Sequence, residues 1–495
     1  MIQFYDIPVE LLFPIVSFIL KPSHLSVVCR VNKSFYDAAI PNLYLKISVF
    51  PWHKDVKNRV IQLFATLASC PHLARHVRHL EIRDFAKNLR LQADDHSKRV
   101  FDDVLQGLKN CVNLHRCTWT RDGSLTSEIL QALLSASANV EQRCETREVS
   151  GECNEQSIVQ ENRNLRELEI NGHDEGLYDR TLLLGFVGLK RISLIMASAA
   201  VVSLLPMWTS LNHNTLRRLT LVCKVSSVVT DEVLVTLAPT LDRLEELQLT
   251  GCPKVTHHGV LAVLSVNTQG MIGLWLEGIS PRFDMAEFSR RCTAIGAMHR
   301  LRSITLTLRQ QSQPLESWLS DVLDLLAPAP LDVFQMYSLS TFVAAPVTNR
   351  FWKALVTAHG NRLTRFSVHR MMIGLDAIRD VCERCTKLEQ LFIVVAPATL
   401  RSVGTALACA KNIRIVHINH PLDARAETEP KVMETDVLSI VNQCSPTLTQ
   451  LGWNTKVWQV TNSVHVGEGG NMSVKRTLSA YESPDIPEAF LVVRM

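Results

Sequence analysis

Residues 244–265 read LEELQLTGCPKVTHHGVLAVLS. Leu247 and Leu249 alternate with Glu246 and Gln248, the period-two pattern of a strand that buries one face and turns the other outward. Cys252 follows the strand, Thr256 stands in a turn, and the apolar run from Val260 to Leu264 suits a helix packed on that buried face. One short segment therefore encodes a strand, a turn and a returning helix.

The same motif, apolar-x-x-apolar-x-apolar, recurs along the chain. It reads LRELEI from Leu165, LKRISL from Leu189, LRRLTL from Leu216, LEELQL from Leu244, MIGLWL from Met271 and LRSITL from Leu301. It continues as LDVFQM from Leu331, LTRFSV from Leu363, LEQLFI from Leu388, IRIVHI from Ile413 and LTQLGW from Leu448. Weaker copies precede these, VRHLEI from Val77 and LHRCTW from Leu114. From Leu165 onward the copies start 24 to 35 residues apart, a period that identifies a strand–helix solenoid rather than a set of independent domains. The 244–265 unit resembles the cysteine-containing leucine-rich repeat, with His257 and His258 in place of the Asp usual after the Thr. The fold class expected is α/β, a leucine-rich-repeat solenoid of about 13 units over residues 77–455, with a concave parallel sheet and convex helices. The polar stretch 141–164 and residues 420–434 are read as loops, and residues 456–495 as a terminal cap or tail.

The totals agree with a folded protein. The chain has 495 residues, 46% of them hydrophobic, and a formal charge of only +4 from 52 basic and 48 acidic residues, so no large basic footprint marks a nucleic-acid partner. The 13 cysteines are odd in number and dispersed, which fits a reduced cytoplasmic or nuclear setting and small buried hydrophobes in the turns. The uncharged stretch ISLIMASAAVVSLLPMWTSLN, residues 192–212, lies in register with a repeat and is read as a strand and a buried helix, not a membrane span. No P-loop, nucleophile elbow, HExxH or dinucleotide fingerprint occurs. Cys382 and Cys385 form a CxxC without a second pair at zinc spacing, and GEGGN at 467–471 reads as a hairpin or a mobile turn. His257 and His258 are read as turn surface. No catalytic residue, metal or cofactor is assigned.

The first 50 residues do not follow the repeat and are read as a helical module, joined by a connecting helix or linker over 51–76. In DIPVELLFPIVSFI, Asp6 can cap a helix, Pro8 suits its first turn, and Glu10 favours its positive end. Together with HLSVVCRVNKSFYDAAIPNLY this segment resembles an F-box, at Ile7, Pro8, Glu10, Leu11, Leu12, Ile15, Leu25, Val28, Cys29, Arg30, Phe35, Leu43 and Tyr44. Pro14 departs from that pattern, and a proline within a helix removes a backbone bond and kinks it at a cost of about 3 kcal/mol. Asn32 stands where the family often has Trp. The resemblance implies that these positions dock a Skp-type adaptor, and through it a cullin and a RING protein, in an SCF-type ubiquitin ligase. The repeats would then recruit a protein substrate. The alternative is a repeat scaffold that binds partners without a ligase role.

Outward strand positions supply the expected substrate face. Trp275, Tyr337 and Phe392 are the large aromatics there, with Arg365, His369 and His417 beside them, and aromatics that point away from a core are frequent interface anchors. Four strand steps would set Trp275 and Phe392 about 20 Å apart.

Overall fold

A computed structural model of the chain describes residues 8–19, 21–51, 55–85, 95–138, 164–173, 176–224, 227–308, 314–338, 345–421, 433–466 and 472–480. Asp6, Ile7, residues 141–163, most of the 420–434 segment, GEGGN and residues 481–495 lie outside them. Two compact units divide the chain, Met1–Cys223 and Lys224–Met495.

In the first unit three short helices come first, α1 (Val9–Ser17), α2 (Pro22–Val28) and α3 (Lys33–Leu45). The chain then enters β1 (Lys46–Val49), followed by β2 (His79–Ile82), β3 (Arg116–Trp119), β4 (Glu167–Asn171), β5 (Arg191–Ile195) and β6 (Arg218–Val222). These strands pair in parallel in chain order, with Lys46 opposite His79, Arg116, Glu167, Arg191 and Arg218 in one continuous register. The sheet thus begins about one repeat earlier than the motif search places it. KISV alternates like the later strands and buries Val49, while the carbonyls of Leu45 and Val49 accept the Arg78 and Arg83 amides. Residues 51–76 accordingly belong to this first repeat rather than preceding it. They hold the helix of this first repeat, Val56–Ser69, which buries Val60, Phe64 and Leu67, and Phe64 meets Phe85 and Trp119 at 6.4 and 6.1 Å between ring centroids.

The second unit carries β7 (Glu246–Thr250), β8 (Gly273–Glu277), β9 (Ser303–Leu308), β10 (Val333–Ser338), β11 (Arg365–Met372), β12 (Gln390–Val394), β13 (Ile415–Asn419) and β14 (Gln450–Trp453), all parallel in chain order. A hairpin, β15 (Lys456–Val466) and β16 (Met472–Ala480), then adds antiparallel to β14. The segment after Trp453 is therefore partly strand, and it occupies the edge that β14 would otherwise leave open.

Every copy of the motif forms its strand, and the first apolar residue of each is buried, from Leu165 and Leu189 to Ile413 and Leu448. Buried asparagines close several turns. Asn212 accepts the Leu189 amide at 2.8 Å and donates to the Phe186 carbonyl, and Asn267 accepts the Gly270 amide while donating to the Leu244 carbonyl. Residues 192–212 form β5 and two short helices, Ala199–Val202 and Leu205–Leu211, and no helix among the described residues is long and apolar enough to cross a membrane.

The 244–265 unit explains its own departure from pattern. Thr256 caps the helix His257–Val266, and Asp231, from the preceding repeat, takes the Thr256 hydroxyl at 2.6 Å and the amides of Thr256 and Gly259. His257 is buried, against the surface reading. Its ring takes the Asp284 amide on Nδ1 and faces Glu287 at 3.2 Å through Nε2, which compensates its polar atoms out of water, whereas His258 is exposed. None of the eleven cysteines among the described residues is in a disulfide. Burial pushes the Cys385 thiol up to about 12 and raises that of Cys382 as well, so both are packed, protonated side chains, and no metal-holding cluster occurs among the described residues.

Candidate functional site: the N-terminal helices and the outward sheet face

The three N-terminal helices enclose a small core of Leu12, Val16, Leu25, Ala38 and Ala39, with Ile19, Val28, Cys29, Phe35 and Leu43 packed around it. The predicted docking residues therefore divide. Leu12 and Leu25 build the bundle, Val28, Cys29, Phe35 and Leu43 are half-buried against it, and Tyr44 is half-buried. Burial raises the Cys29 and Tyr44 pKa values, as expected for side chains turned partly inward. Pro8, Glu10, Leu11 and Ile15 face solvent.

With Leu12 and Val16 inward at i, i+4 spacing, Leu11, Ile15 and Phe18 form a second stripe at i, i+4, i+7. They are 49%, 48% and 83% exposed. Val9 and Phe13 add apolar exposure on another side of α1, and Val27 and Val31 do so at and beyond the end of α2. Val9, Phe13, Phe18, Val27 and Val31 are not among the residues that sequence matching selects. Their signal is geometric, since they are the apolar positions left over once the inward pair is fixed. The chain stays helical through Pro14, and because Pro14 and Glu10 are both exposed, the carbonyl that the proline leaves unpaired lies on the water side. Asn32 caps α3 by accepting the Phe35 amide at 3.0 Å, a task for which a tryptophan is unsuited.

The second surface lies on the outward face of β8 to β14. Register places Trp275, Thr305, Gln335, Ser367, Phe392, His417 and Gly452 in one column, so four strand steps do separate Trp275 from Phe392. Tyr337 stands in the next column opposite Thr307 and His369. The aromatics are not equally open, however. Phe392 has no exposed surface: His417 stacks on it at 6.2 Å and 17°, His369 approaches at 6.4 Å, and the Arg365 guanidinium lies 5.0 Å from the ring centroid. Its neighbours on the sheet cover it, which the outward position alone does not reveal. Trp275 and Tyr337 are half-buried, the first folded over Gly273 of its own strand, the second donating its hydroxyl to Glu277 at 2.5 Å.

Several polar groups of this face partner one another. Ser367 Oγ and His369 Nε2 are 3.0 Å apart, and His417 Nε2 meets the Asn454 carbonyl at 2.9 Å. Burial pushes the His369 pKa down to about 3, reinforced by His417 and Arg365, so its imidazole is neutral. Burial raises the Glu277 carboxyl above its ordinary range, partly offset by the Tyr337 hydrogen bond. Asn454 escapes motif matching because it follows the last strand. It holds a left-handed conformation at φ 48° that asparagine tolerates, and its side chain binds the His420 amide.

The strand–helix units with their parallel ladders define a mixed α/β repeat fold, consistent with a solenoid of the leucine-rich-repeat type. Comparison with known proteins gives no matching family model and no matching curated protein. Among solved structures the chain is similar to the leucine-rich-repeat-containing protein LegL7 from Legionella pneumophila, with 11% identity, a TM-score of 0.37, and coverage of 59% of this chain and 92% of that one.

Proposed function

We propose that this chain is the substrate-receptor subunit of an SCF-type ubiquitin ligase, in which the N-terminal helices dock a Skp-type adaptor and the repeats recruit a protein substrate. The observation that carries this reading is the exposed stripe of Leu11, Ile15 and Phe18 on a helix whose opposite face already fills a bundle core. Apolar side chains at i, i+4, i+7 outside a finished core suit a groove on another protein. The F-box resemblance of the same segment gives that groove its identity. The receptor positions its substrate, and the ligase's other subunits carry out the chemistry.

Co-purification of the full chain with a Skp-type adaptor tests this. The parent binds, and Leu11→Asp with Ile15→Asp abolishes binding while leaving the melting temperature unchanged. A folded parent that captures no adaptor favours the scaffold reading, in which the helices serve only the protein's own repeats.

A further inference from the structure

The charge of the chain is nearly balanced overall, yet it is sorted along one rim of the first unit. The residues immediately before β2 to β6 are Arg78, His115, Arg166, Lys190 and Arg217. The first residues of the strands, beginning with β1, are Lys46, His79, Arg116, Glu167, Arg191 and Arg218, paired in register. In the second unit the equivalent rim is mixed, with Glu245, Asp332 and Glu389 among Arg302, Arg414 and the neutral Ile272, Thr364 and Thr449. The basic row belongs to the first unit and is not a property of the repeat.

This row is held rigidly. The carbonyl of Arg78 accepts the amides of both His115 and Arg116 at 2.8 and 3.0 Å, and His115, Arg166 and Lys190 do the same for the strand that follows each. The carboxylates nearby are already engaged: Glu167 with Arg116 and Arg218 at 3.6 and 3.8 Å, Glu169 with Arg83 and Arg191 at 3.1 and 3.9 Å. Arg78, Arg166 and Arg217 place guanidinium N–H groups on the neutral carbonyls of Asn113, Gly188 and Leu216, and Lys190 is exposed. These four cations pair with no carboxylate among the described residues. The local field is visible in His76 and His79, whose pKa values fall through burial first and then through Arg75 and Arg78, and through Arg116, respectively.

We infer that the rim of β2 to β6 is a docking surface for an acidic segment of a partner protein. Four strand steps span about 19 Å, the length of about six extended residues, so one cation meets the segment at nearly every step. Charge complementarity of this kind steers encounter and fixes register. A nucleic acid fits less well. The strand row just inside the rim, Ser48, Glu81, Thr118, Glu169, Ser193 and Thr220, carries no aromatic ring on which bases could stack. The inference does not depend on the adaptor reading, because it concerns the chain alone.

The test is fluorescence anisotropy of the full-length chain with a labelled twelve-residue Asp/Glu peptide, a neutral Gly/Ser peptide of equal length, and a twelve-nucleotide oligo(dT). The acidic peptide binds, the neutral one does not, and raising the salt weakens binding. Arg166→Glu, Lys190→Glu and Arg217→Glu together weaken it by about tenfold or more, as does the neutralising set Arg166→Gln, Lys190→Gln and Arg217→Gln to a smaller degree. Lys387→Glu with Arg414→Glu in the second unit leaves it unchanged. Circular dichroism and thermal melting establish that each variant is folded. Equal binding of acidic and neutral peptides, an unchanged constant in both rim variants, or tighter binding of oligo(dT) than of the acidic peptide overturns the proposal.

Discussion

Two residues on the outward face of the second unit illustrate how burial fixes chemistry. His369 titrates near 3 when folded and about 6.5 when unfolded, so the unfolded chain binds the extra proton between those values. Its contribution to stability is intact above pH 6.5 and is lost as the pH falls toward 3, at up to about 1.4 kcal/mol per pH unit. His369→Gln should flatten the acid limb of a denaturation-versus-pH series relative to the parent; an unchanged slope refutes the assignment. Gly452 makes room for His417, since a Cβ there would collide with the imidazole. Gly452→Ala should cost about 1–3 kcal/mol in chemical denaturation and loosen the stack on Phe392. The outward location of Phe392 and His417 was legible from strand alternation. Their closure was not, because it arises from contacts between side chains of different repeats, roughly 25 to 50 residues apart, that no local pattern encodes.

At the level of single elements, α1 combines two roles on separate stripes. Leu12→Ala removes a core side chain and should destabilise the N-terminal bundle by about 2–5 kcal/mol, seen as faster hydrogen exchange in α1 to α3. Leu11→Ala or Phe18→Ala should change stability by no more than about 0.5 kcal/mol, because those side chains remain in water. The helix and its caps were readable from residue types, although a resemblance that treats Leu11 and Leu12 alike does not separate docking from packing. Periodicity located the later strands well, since each repeats the same spacing of buried residues. It missed β1, whose four residues follow α3 directly and lack the buried leading leucine in helix-to-strand context that marks the other copies.

For the molecule as a whole, stability rests on repeats that each bury their apolar residues against the next, so exposed ends are its weak points. The hairpin of β15 and β16 covers the β14 edge of the second unit. Deleting residues 456–495 should expose that edge and produce concentration-dependent association in light scattering, whereas a monomeric truncated chain contradicts the capping role. The repeat architecture was visible in the sequence from one unit outward, while the basic rim was present as the pairs 78–79, 115–116, 190–191 and 217–218 and acquired meaning only once register aligned them. The most direct test of the central claim is adaptor capture by four proteins: the parent, Leu11→Asp with Ile15→Asp, Phe18→Asp, and the rim variant Arg166→Gln, Lys190→Gln and Arg217→Gln. The account predicts that the parent and the rim variant bind the Skp-type adaptor and that the two α1 variants, equally folded, do not. Adaptor binding that survives in both α1 variants, or is absent from the folded parent, contradicts it.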